Sequence, residues 1–322
     1  MPWRPAFAKE KTRRLLWPDP APPEGLVMAV IDPVQWPEIL PLLSRQAADW
    51  LPADTGEHLR THGEVLPCVT ALLPEDPVTE AVLDRAGNES GIFLRAAGDP
   101  RLLVGRVARH LAVCAACTLP EGGAAFLRLQ DPNILRAWMA VATDGQKSLL
   151  FGAGITDFWA EDVVLGEYAR YTAPESPPEP CGTPARISPG QLEALLEAQH
   201  RKYLEDLEDY SINTLGPISG EAQLRAVRAG VHTCAALAET YGFSLRGQIT
   251  DFVALGTAYG FGFHQSPQVK TILENTAAPA DERLRAVAAL LSGWAAEQAA
   301  RRTDGQTDGR TDGRAERGLR HG

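Results

Sequence analysis

Residues 124–138, AAFLRLQDPNILRAW, decide how the chain is read. Phe126, Arg128 and Gln130 alternate with Leu127 and Leu129, the period-2 pattern of a strand. Asp131-Pro132 ends the alternation. Asp is a strong N-cap, because its carboxylate accepts from the free N–H groups of a first helical turn. Pro fits the next position, where no N–H is needed and φ is already helical. Ile134, Leu135 and Trp138 then recur at helical spacing. The stretch predicts a strand running straight into a capped helix, with Arg128 and Arg136 flanking the junction. In α/β folds, sites gather near such junctions.

Upstream, residues 1–25 carry six prolines interspersed with Arg and Lys, and little regular structure is expected there. Residues 26–31, LVMAVI, form a continuous apolar run that predicts a buried strand. Trp36, Ile39, Leu40 and Leu43 mark a first helix, with a kink or early break expected at Pro41. Residues 65–73 and 91–94 predict further strands, and residues 76–85 a helix. Asp99-Pro100 repeats the cap-plus-proline start and opens a helix through Leu103, Val107, His110 and Leu111. Downstream, residues 149–151 and 163–165 read as short strands. Strands alternating with helices over residues 26–171 give an α/β domain, a mixed sheet flanked by helices.

The prolines of residues 172–187 predict a semi-rigid linker. Ser188 with Gln191 is a capping-box start, and the helical periods that follow make residues 188–300 an all-α bundle. The tail, residues 301–322, repeats TDG without apolar side chains and has nothing to bury.

Composition narrows the partners. The chain has 322 residues, 44% of them hydrophobic, and a net charge of −10. The tail holds six Arg against four acids, which leaves the body near −12. So acidic a body has no electrostatic footprint for phosphate backbones, which argues against nucleic acid. Five cysteines at irregular spacing indicate free thiols in a reducing compartment. The first residues show no apolar stretch of signal-peptide length, and no segment is suited to span a membrane. A cytoplasmic location is expected.

Two motifs offer catalysis. His58 and His62 stand at i, i+4, a metal-binding spacing on a helix, but the Glu of the zincin pattern is missing and Gly56 and Gly63 favour a loop. Cys114 and Cys117 have redox or zinc spacing without a second pair; among alanines at a helix end they read as small core hydrophobes. A metal- or thiol-dependent enzyme using these residues is the alternative reading. The acids Glu205, Asp206, Glu208 and Asp209 read as a solvated helix face.

Taken in order, several segments resemble the effector chaperone or adaptor proteins of bacterial type VI secretion. Residues 27–32 with 39–43 are similar to that family's first strand and helix, and residues 66–72 to its next strand. Residues 90–94 with the Leu-rich helix ending in His110-Leu111 resemble the following pair. Residues 126–136, FLRLQDPNILR, are similar to the family's Arg-Phe-Tyr-Asp-Pro-Arg-Val-Leu signature, with Leu129-Gln130 in place of the aromatic pair and Asn133 where Arg is common. The resemblance implies an adaptor without catalysis, cofactor or metal. It implies two partners, a cognate toxic effector and the secretion spike protein. It makes Arg128, Asp131, Pro132, Arg136 and His110 the signature or partner-binding positions.

Overall fold

The run LVMAVI presents no polar side chain to solvent, and it becomes β1 (Leu26–Ile31), inside a six-stranded sheet. The computed structural model describes residues 7–19, 25–46, 49–53, 66–175 and 183–307. His58, His62, the prolines before residue 7, residues 176–182 of the proline-rich stretch, and the tail from 308 onward lie outside them. Along the first unit, residues 1–200, the elements are α1 (Lys9–Leu16), β1, α2 (Ile39–Arg45), β2 (Trp50–Pro52), β3 (Cys68–Leu72), α3 (Pro77–Asp84) and β4 (Gly91–Ala96). They continue with α4 (Pro100–Ala115), β5 (Ala116–Thr118), β6 (Ala124–Phe126), α5 (Pro132–Val141), α6 (Asp144–Leu150), β7 (Ile155–Asp162), β8 (Glu167–Thr172) and β9 (Ala185–Arg186).

The main sheet runs β2-β3-β1-β4-β7-β8, every neighbouring pair antiparallel. Among the described residues, parallel pairing is confined to β5 and β9 in a small second sheet, β6-β5-β9. The unit is thus an α/β layer fold with helices on both faces of the sheet. Because successive strand residues point to opposite faces, Val27, Ala29 and Ile31 pack with Leu16, Ile39, Leu43, Val78 and Trp159. Met28 and Val30 pack on the other side with Leu103, Val107, Leu111, Leu135 and Phe158.

Five local expectations are corrected. Residues 9–16 form a helix despite the prolines around them. Their basic side chains find α3: Lys9 pairs with Glu80 at 2.8 Å and Asp84 at 2.6 Å, and Arg13 pairs with Glu80. Residues 149 and 150 end α6, which the Thr143–Gln146 capping box starts just upstream, and Phe151 is its C-cap. Residues 163–165 form the β7–β8 turn, where the Asp162 carboxylate accepts from the N–H groups of Val164 and Leu165. The strand expected through Gln130 stops at Phe126. Pro41 breaks nothing, since it falls in the first turn of α2, where its missing N–H costs no bond.

Between residues 172 and 187 the chain re-enters the fold at its end. Ala185 and Arg186 pair with Cys117 and Thr118, and Ile187 is buried. Gln191, the capping-box partner of Ser188, donates to the Val141 carbonyl at 3.0 Å and to Gln146 at 2.7 Å. The compact unit runs to His200.

The second unit, residues 201–322, is helical where described. It holds the end of α7 (Pro189–Leu215), then α8 (Glu221–Thr240), α9 (Arg246–Tyr259), α10 (Pro267–Glu274) and α11 (Ala280–Thr307). Phe252 is its centre, with ring centroids of Tyr241, Phe243 and Phe263 at 6.0, 5.8 and 5.0 Å. Arg283 ties the helix ends together, donating to the carbonyls of Tyr241 and Leu273.

Gly91 tests the tight pairing of β4 on β1. A Cβ there would stand 2.3 Å from the Val30 carbonyl oxygen and 3.0 Å from the Ile31 Cα. Gly91→Ala is therefore expected to cost about 1–3 kcal/mol, as overpacking against backbone does. Denaturant unfolding measures it; an unchanged midpoint would contradict this register.

Candidate functional site

At the C-terminal end of β1 the chain turns on Asp32, whose side chain is 3% exposed. Its Oδ1 accepts from the Val34 N–H at 2.9 Å, closing the turn. Its Oδ2 accepts from the Arg128 guanidinium and, at 3.4 Å, from the Gln130 amide. A buried carboxylate needs such partners, since desolvation without them is expensive. The residue-128 stretch supplies them because it leaves the strand: the Asp131 N–H bonds the Arg128 carbonyl at 2.9 Å. Leu127 and Leu129 then point into the core while the Arg128 side chain stays 46% exposed.

Asp131 caps α5, accepting from Asn133 at 2.9 Å and Ile134 at 3.4 Å, with Pro132 at the first helical position. Burial pushes its carboxyl above the usual carboxylate range against the pull of those N–H groups. Asn133 donates to Glu89 at 2.7 Å. Arg136, one turn further, pairs with Asp162 at 2.5 Å and reaches the Glu161 carbonyl. Glu161 accepts from the N–H groups of Gly87 at 2.9 Å and Glu89 at 2.8 Å, and from the Tyr168 hydroxyl at 3.3 Å. Burial nevertheless raises its carboxyl to about 7.

Of the signature positions, Arg128, Asp131, Pro132 and Arg136 thus share one corner, each with a structural contact of its own. His110 is elsewhere. Its Nε2 lies 3.3 Å from the Leu150 carbonyl oxygen and 3.3 Å from the Cys114 Sγ, and its ring lies against Gly152. Burial lowers the His110 pKa and raises that of the Cys117 thiol, and both Cys114 and Cys117 are buried. A buried thiol held in its protonated form is a poor nucleophile or metal ligand. Among the described residues no group of three or more His, Cys, Asp or Glu side chains is placed to hold a metal ion. Nor is any described helix long and apolar enough to cross a membrane.

Beside the corner lies a feature that the sequence does not announce. A groove of about 610 Å³ opens between the end of α4 and residues 126–130. Val30 and Ile92 belong to its wall, as do Leu111 and Ala115 of α4, Pro67, and Arg128 itself. Phe126, Val34 and Val113 also line it and are exposed to 62, 52 and 37%. Exposed apolar side chains gathered around a concave wall mark binding surfaces more often than isolated ones do. These residues come from five separate stretches of chain, so no local period could have grouped them.

A family model described as a domain of unknown function (DUF4123) matches residues 27–149, from β1 to α6. The groove and the corner fall largely inside that span, whereas β7 and β8, which complete the sheet, lie beyond it. No curated protein and no solved structure matches the chain.

Two outcomes test the corner. Asp131→Ala is expected to cost about 1 kcal/mol through loss of the cap, read from thermal or chemical unfolding. Glu161 sets a pH dependence. Its carboxyl titrates near 4.5 when unfolded and about 7 when folded, so the folded state holds the extra proton between those values. Stability contributed by this group is full below about 4.5, falls as pH rises, and is gone above about 7. Glu161→Gln should flatten the decline in melting temperature between pH 5 and pH 8. An equal slope in wild type and variant would show that Glu161 does not carry it.

Proposed function

We propose that this chain is a non-catalytic adaptor that binds a cognate type VI secretion effector and helps load it onto the spike protein of the apparatus. The observation that carries the proposal is the DUF4123 match over residues 27–149, which falls on the same segments whose order resembles the effector-adaptor proteins. The site agrees in kind. An open apolar groove beside a hydrogen-bonded polar corner suits capture of a protein segment. In this reading the first unit holds the cargo and the helical unit assists contact with cargo or spike, in the cytoplasm. Arg128, Asp131, Pro132 and Arg136 build the surface before they touch any partner, and His110 braces α4 from within.

Binding the folded, shielded form of a cargo raises its soluble fraction by mass action. Co-expression of the full chain with the effector encoded beside its gene should therefore increase soluble effector and give a complex that co-elutes in gel filtration. His58→Ala with His62→Ala should leave both results unchanged. Absence of a complex with any neighbouring effector, together with turnover of a substrate that depends on His58 or Cys114, would overturn the adaptor reading in favour of an enzyme.

A further inference from the structure

The outward face of α4 joins the groove and is basic within an acidic chain. Its sixteen residues include Arg101, Arg106 and Arg109 and no acid, in a chain with 41 acids against 31 Lys and Arg. Leu102, Arg106, Arg109 and Val113 follow one another at helical spacing and all are exposed. Among the described residues, Leu102 is the most exposed of the large apolar side chains, at 69%. Leu51 of β2, also exposed, flanks this ridge at Gly105, where an added Cβ would meet its Cδ1 at 3.2 Å. Arg106 donates to the Ala97 carbonyl at 2.8 Å. Arg101 and Arg109 have no carboxylate partner among the described residues.

From Leu102 to Val113 the ridge runs about 16 Å at the α-helical rise, and at Val113 it enters the groove. That length exceeds a small molecule and matches a few turns of helix or a short extended segment. Apolar side chains with a cation between them call for a ligand with the converse pattern. Resting on the adaptor reading above, we infer that the groove and the α4 ridge together seat an amphipathic segment of the cargo. Its apolar side chains enter beside Val113 and Phe126, and its carboxylates face Arg109 and Arg101. Arg128, already held by Asp32, shapes the wall rather than meeting the cargo's charge.

The probe is a set of overlapping short peptides tiling the effector encoded beside this gene, presented to the purified full-length chain at low and high salt. Captured peptides should combine apolar residues with Asp or Glu, and capture should weaken as salt screens the exposed pairs. Val113→Arg and Arg109→Glu should each reduce capture about ten-fold or more, the loss expected when an interface anchor is removed. A Lys in place of the peptide's acid should restore capture by Arg109→Glu. Both positions are exposed, and unchanged melting curves verify that the variants fold. If the whole effector still co-elutes with both variants as with wild type and the tiling shows no apolar–acidic preference, the groove assignment is overturned and the adaptor reading stands. If the whole effector never co-elutes with wild type, both fail. Capture that emerges only after residues 54–65 are excised would assign the groove to the chain's own segment and overturn the proposal.

Discussion

The carboxylate of Asp32 is the constraint on which this end of the sheet depends. It closes the central strand β1, lies almost wholly out of solvent, and is satisfied by a backbone N–H, a guanidinium and an amide. Two of those donors, Arg128 and Gln130, come from a stretch nearly a hundred residues away. Removing the guanidinium would leave a buried charge short of a partner, a loss softened here by the exposure of Arg128. The ion pair therefore fixes where residues 126–130 run, and with them one wall of the groove. Fold and groove share this single contact.

Around it stands an acidic corner: Asp32, Glu89, Asp131, Glu161 and Asp162 lie at strand ends and the turns beside them, with Arg128 and Arg136 as the cations. Each carboxylate does a local task, closing a turn, capping a helix or holding the Gly87–Glu89 loop by its N–H groups. Glu89 adopts φ of 52°, a conformation unusual for a residue with a side chain. Its N–H on Glu161 and its carboxylate on Asn133 account for the hold on it. These contacts explain the corner as architecture.

Much of the fold was legible because the deciding signals are local. Asp99 and Asp131, each followed by proline, cap two helices as their positions announce, and Asp76 before Pro77 caps a third in the same way. The continuous apolar run of β1 announced burial on both faces. The errors arise where tertiary partners overrule local pattern. Leu127 and Leu129 alternate with Arg128 as a strand would, yet the pull toward Asp32 turns the chain out of the sheet. The helix α1 is short and flanked by prolines, and what holds it is tertiary: Leu16 is buried in the core while Lys9 and Arg13 meet Glu80 and Asp84. Two-residue β9 carries no sequence signal at all. The antiparallel order of the main sheet was equally hidden, since strand–helix alternation does not state direction. Of the candidate site, four signature residues fall together as the spacing around residue 131 requires. The groove was invisible, because Val34, Pro67, Val113 and Phe126 meet only in the folded chain.

The central claim is that the first unit captures cargo at the groove beside the Asp32–Arg128 corner. Amide hydrogen exchange of the full chain, with and without the neighbouring effector, tests it most directly. The account predicts new protection concentrated at residues 102–116 and 126–130, with the buried strand β1 unchanged. Protection confined to residues 201–300, or spread over the outer edge of β8 with none along α4, would contradict it.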